Sequence, residues 1–79
     1  MRKSTHTRPY AKLREALVAA REAAGLSQHE LARRLGRPQS FVSKCESGER
    51  RVDIVELIHI AKILHADPVA IVKALMREW

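Results

Sequence analysis

The chain has 79 residues, 46% apolar and 30% charged, with 15 basic against 9 acidic side chains and a formal charge of +6. That apolar share excludes a disordered tail. No apolar run is long enough to span a bilayer, and none follows the basic first ten residues as a secretory signal requires. A single cysteine, Cys45, excludes an internal disulfide and fits a reducing cytoplasm.

A chain this short without a disulfide needs close helix packing, a partner subunit, or both. Its charge is divided unevenly. Residues 1–51 carry twelve Lys/Arg against five acids, a balance of +7, while residues 52–79 carry three against four, a balance of −1. Basic surface of this kind attracts phosphate, in nucleic acid or in lipid headgroups.

Residues 1–9 show no helical periodicity and are expected to form a mobile basic arm ahead of a single domain over 10–79. From Tyr10 onward, Leu13, Ala16, Leu17, Ala20 and Ala24 recur at three- and four-residue steps, which predicts an amphipathic helix closed by Gly25. Ser27 with Glu30 reads as a capping box opening a short second helix, with Leu31, Ala32 and Leu35 inward and Gly36 as its stop. Pro38 suits the first position of a third helix, where its missing N–H costs nothing. Phe41, Val42 and Cys45 form the inner stripe of that helix, and Gly48 ends it.

Asp53 with Glu56 is a second capping box, starting a fourth helix with Ile54, Leu57, Ile58, Ala61 and Leu64 inward. Asp67 and Pro68 read as an N-cap and N1 pair for a last helix from Val69 to Trp79. Five helices joined by short connectors predict an all-α, compact five-helix bundle.

The tight glycine turn between helices two and three, the second studded with polar residues, is a helix-turn-helix arrangement. The run Arg21-x-x-x-Gly25-Leu26-Ser27-Gln28-x-x-Leu31-Ala32-x-x-Leu35-Gly36, continued by Ser40-x-x-Ser43-x-x-Glu46-x-Gly48-x-Arg50, resembles the Cro/cI-type phage-repressor helix-turn-helix family over roughly residues 10–68. The resemblance implies a recognition helix at about 39–47 lying in the major groove of double-stranded DNA. It places base contacts on Gln39, Ser40, Ser43 and Lys44, and a phosphate contact on Gln28 at the start of helix two.

The chemistry of these side chains agrees: Gln pairs with adenine, Lys reaches guanine, and Ser bonds either partner. Their spacing puts them on one face, opposite Val42 and Cys45. Arg37, Ser47, Arg50 and Arg51 flank that helix and are expected to meet phosphates. The resemblance also implies that Arg21 and Glu46 form a structural ion pair holding the recognition helix. Phe41 is read as core, with contact to thymine methyl groups as the other possibility. Cys45 stands where the family usually has Ile or Leu and is read as a small buried hydrophobe, not a redox switch. Pro38 replaces a small polar residue.

His29 is expected at the surface, and His59 or His65 packed at a helix edge. His6, His29, His59 and His65 lack metal-ligand spacing, and no nucleophile–base set, paired acids or phosphate loop occurs, so neither catalysis, nor a metal, nor a cofactor is expected. The last helix carries more apolar surface than one face can bury, and Val72, Leu75, Met76 and Trp79 are expected to join two copies. A two-fold dimer would present two recognition helices one DNA turn apart to a palindromic operator. The leading expectation is thus a cytoplasmic homodimeric transcriptional regulator. The alternative is an antitoxin-like interaction module whose apolar tail meets a protein partner, a toxin or a polymerase subunit, with DNA binding secondary. Membrane-surface or RNA binding fits poorly, given one Tyr, one Phe and one Trp and no basic amphipathic helix.

Overall fold

Each helix of the computed structural model opens on a residue whose side chain or backbone satisfies an otherwise unpaired end, and the structure describes residues 6–79. Thr7 caps α1 (Arg8–Ala23), its hydroxyl accepting the Tyr10 N–H at 3.4 Å, with Pro9 in the first turn where no amide donor is needed. Arg8 and Pro9 therefore belong to the helix and not to a separate arm; residues 1–5 of the expected arm lie outside the described residues.

Helix α2 (Gln28–Leu35) and helix α4 (Ile54–Ile63) both begin with complete capping boxes, from Ser27 with Glu30 and from Asp53 with Glu56. Helix α5 (Pro68–Met76) is capped by Asp67, whose carboxylate accepts the Val69 N–H at 2.9 Å. It stops at Met76, short of Trp79, because the amides of Arg77 and Glu78 turn back to the carbonyls of Ala74 and Leu75.

Helix α3 (Gln39–Ser47) starts differently from expectation. Pro38 is its N-cap, not its first residue, with extended backbone (ψ 153°) and no side-chain cap. The cause lies upstream. The Arg37 N–H is drawn back to the Ala32 carbonyl at 3.0 Å, so Pro38 must extend to redirect the chain, and its carbonyl then accepts the Phe41 N–H at 3.0 Å.

The core draws on every helix: Leu13 and Leu17 from α1, Leu31 and Ala32 from α2, Phe41, Val42 and Cys45 from α3, Leu57, Ile60 and Ala61 from α4, and Ile71 from α5. Leu26 and Leu64, at helix boundaries, complete it. Helix α1 packs on α3 and α5, α2 on α3 and α4, and α4 on α5. Fully burying one aliphatic side chain of this set contributes about 1.5–3 kcal/mol.

The buried face of α4 is Leu57, Ile60, Ala61 and Leu64, while Ile54 and Ile58 are exposed. Helix α4 is apolar around most of its circumference, so period alone could not say which edge its two neighbours cover. His59 and His65 are exposed instead of packed at a helix edge, as is His29. No helix of the described residues is long and apolar enough to cross a membrane.

Candidate nucleic-acid interface

The turn between α2 and α3 depends on backbone conformation. Gly36 closes α2 at φ +70°, a left-handed geometry that a Cβ resists, and its N–H bonds the Arg33 carbonyl at 3.1 Å. From there α3 presents two opposed faces. Phe41, Val42 and Cys45 are buried, whereas Gln39, Ser40, Ser43 and Lys44 are all exposed. These four side chains are hydrogen-bond donors and acceptors on one side of a short helix, with Lys44 adding charge.

The helix is anchored at the edge of that polar row through Glu46, two turns on from Gln39. Arg21 of α1 forks onto its carboxylate, Nε to Oε2 at 2.7 Å and Nη2 to Oε1 at 3.1 Å. The third arginine nitrogen, Nη1, donates to the Leu26 carbonyl at 2.9 Å. Gln28 of α2 donates to Glu46 Oε1 at 2.9 Å, so one carboxylate ties three helices together. Both members of the pair are largely buried, at 14% and 9% side-chain exposure. Hydrogen bonding to Glu46 holds the Arg21 guanidinium above its ordinary range. The Gln28 amide, expected on a phosphate, is thus committed to the Glu46 anchor.

Beyond the C-terminal end of α3, the flanking cations differ from one another. Arg51 is exposed and forms no ion pair among the described residues. Ser47 is exposed, but its hydroxyl turns inward to the Lys44 carbonyl at 3.2 Å and toward Glu49. Arg50 departs most from expectation, because its Nη1 and Nη2 both reach Glu56 at 3.0 Å and Nη1 also donates to the Arg51 carbonyl at 2.7 Å. Arg37 lies 4.0 Å from the same carboxylate and 4.0 Å from the Phe41 ring centroid. Phe41 is a core residue with two guanidiniums against it. The Arg50 fork holds the Glu56 carboxyl below the usual carboxylate range. Cys45 is buried, and burial pushes its thiol up, so it is neutral at pH 7.

Two contributors were not legible beforehand. Glu56 shows in sequence only as the third residue of a capping box, a role it also fills by accepting the Asp53 N–H at 3.0 Å. Arg14 reaches the Ser47 carbonyl at 3.5 Å and lies over Gly48. A Cβ at Gly48 would sit 3.2 Å from the Arg14 side chain on a backbone at φ +85°, which is why glycine closes α3. Its signal in sequence is the glycine alone.

The apolar stripe expected on the last helix divides. Leu75 is half-buried against the core and, with Trp79, lines an α1–α5 groove of about 250 Å³ that also holds Tyr10 and Leu13. Val72 and Met76 are exposed on the other side with Val69. A groove of about 200 Å³ lined by Ile54, Ile58, Pro68, Val69 and Val72 separates α4 from α5, and Val55 of α4 is exposed as well.

A short bundle with an exposed polar helix set behind a glycine turn defines a helix-turn-helix protein. The family model described as a helix-turn-helix domain matches residues 12–73, and the chain belongs to that family. Among solved structures, it is similar to an XRE-family like protein from Pseudomonas syringae pv. tomato str. DC3000, at 46% identity and a TM-score of 0.85, over 94% of this chain and 90% of that one. No curated protein matches it.

Proposed function

We propose that this protein is a sequence-specific double-stranded-DNA-binding transcriptional regulator of the phage-repressor, Cro/cI type, acting in the cytoplasm as a homodimeric repressor on a palindromic operator. The observation that carries the reading is the exposed row Gln39, Ser40, Ser43 and Lys44 on a helix fixed at the edge of that row by Arg21, Gln28 and Glu46. A rigid helix with unpaired polar side chains suits base edges in the major groove. Arg37, Arg51 and the α2 N-terminus provide for phosphates beside it.

Subunit pairing is assigned to the α4–α5 groove of Ile54, Ile58, Val69 and Val72, on helices that also expose Val55 and Met76, in the part of the chain with least positive charge. An antitoxin-like role would use the same apolar face for a foreign protein. The dimer is preferred because a second copy joined there adds a second recognition helix.

The test is a randomised-site binding selection with two variants. Gln39→Ala should relax preference at one base pair of each half-site and cost about 1–3 kcal/mol on the best site. Arg51→Ala should weaken all sequences alike and flatten the dependence of log K on log salt by about 0.9 for each phosphate lost. Uniform losses from both variants would remove Gln39 from base reading.

A further inference from the structure

Two cations from opposite ends of α3 converge on one carboxylate. Arg37 precedes the helix and Arg50 follows it, yet they lie 4.0 and 4.7 Å from the Phe41 ring centroid. Glu56 accepts both terminal nitrogens of Arg50 at 3.0 Å and stands 4.0 Å from Arg37. The two engagements are unequal. Arg50 is a closed fork, whereas the Arg37 pair sits at the limit of an ion pair; both side chains remain partly exposed, 38% for Arg50 and 44% for Arg37. Ion pairs at such exposure contribute little to stability. A bidentate fork does, however, fix where a guanidinium points. A carboxylate here also adds negative charge beside a surface that has to approach phosphates.

We infer that Glu56 is a positioning residue for DNA binding: it tethers Arg50 fully and Arg37 partly over Phe41, so that the surface around α3 offers phosphates fewer free cations than its sequence contains. The inference rests on α3 being a DNA-recognition helix. Affinity for any duplex rises with each phosphate neutralised, whereas base reading does not. Withholding cations therefore lowers binding to arbitrary sequence and leaves discrimination to Gln39, Ser40, Ser43 and Lys44.

The experiment titrates the full chain, Glu56→Gln and Glu49→Gln against a labelled mixed-sequence duplex through a salt series, with thermal melting followed on the same samples. The Glu56→Gln amide keeps the size of the side chain and an oxygen for the Asp53 N–H, while it removes the charge and one of the two acceptors of the Arg50 fork. Glu49→Gln removes a neighbouring exposed carboxylate that forks no arginine, and so controls for net charge. Glu56→Gln should bind the mixed duplex more tightly at low salt, with a slope of log K against log salt steeper by about one per released cation, and Glu49→Gln should change the slope less.

An unchanged slope in folded Glu56→Gln, or an equal change in Glu49→Gln, overturns the tether. A carboxylate of purely structural value would lower the melting temperature and leave the slope where it was. Should Glu56→Gln fail to fold, Arg50→Gln in the chain that retains Glu56 decides. It should flatten the slope by less than half as much as Arg51→Gln does, and an equal loss overturns the inference. If the unaltered chain shows no salt-dependent affinity for duplex DNA, the reading of α3 falls instead.

Discussion

Glu46 accepts hydrogen bonds from Arg21 and Gln28 while belonging to α3, and its side chain is almost out of contact with solvent. Removing one partner of such a pair strands the other charge, at a cost of about 3–5 kcal/mol, whereas an apolar replacement of both is often nearly neutral. Arg21→Met should therefore lower the melting temperature by more than about 10 °C, and Arg21→Met/Glu46→Leu should recover most of it. A single-variant loss of only a few degrees would show the pair to be dispensable. The pair was visible in sequence only through the spacing of a family pattern, because neither composition nor period joins residues in different helices. Glu56 illustrates a different kind of linkage. Arg50 depresses its folded-state pKa below the unfolded value, so its contribution is complete above the ordinary carboxylate range and is lost as pH falls through the folded pKa. Melting temperature followed from neutral to acid should accordingly decline less for Glu56→Gln than for the unaltered chain; parallel declines would show that the charge contributes no stability.

At the scale of single elements, local chemistry decided most boundaries. Ser27 with Glu30 and Asp53 with Glu56 are capping boxes in sequence and in structure, since both hydrogen bonds close within one turn and need no distant partner. The end of α4 is less well made. His65 adopts φ +56°, the only positive φ among the described non-glycine residues, at the position where helices commonly use glycine. That conformation costs a non-glycine residue about 1–2 kcal/mol, and the greater freedom of glycine in the unfolded chain offsets part of the gain from replacing it. His65→Gly should thus stabilise the fold by up to about 1 kcal/mol and raise the melting temperature by a few degrees. A lower melting temperature would mean that the exposed imidazole makes a compensating interaction.

For the molecule as a whole, the proposed dimer sets the exposed α4–α5 face of one copy against that of the other. Burying exposed aliphatic side chains contributes about 1.5–3 kcal/mol each when complete, against an association cost of about 4–15 kcal/mol, so Ile54, Ile58, Val69 and Val72 from both copies are in the range that sustains a dimer. Ile54→Glu/Val69→Glu tests this with little harm to the fold. Both positions are more than half exposed and lie in the first turn of a helix, where a negative charge suits the macrodipole. Sedimentation should show the variant monomeric at micromolar concentration, and its binding to a full operator should weaken by orders of magnitude as the second half-site is lost. A variant that still sediments as a dimer would move the interface to the groove between Tyr10, Leu75 and Trp79.

Helix number, the Ser27, Asp53 and Asp67 starts, the Gly36 and Gly48 stops and the polar row on α3 were all determined by sequence alone. Each rests on bonds or periodicities contained within a few consecutive residues. Tertiary structure alone decided which edge of α4 is buried, how the α5 stripe divides, and that Arg50 answers to Glu56. An apolar helix can turn several faces to a core, and only the positions of α2 and α5 leave Ile54 and Ile58 outside. Nor does an arginine's flank position in the chain say where a long flexible side chain will lead its charge: Phe41 and Glu56, brought together by the packing of α2 with both α3 and α4, set that direction.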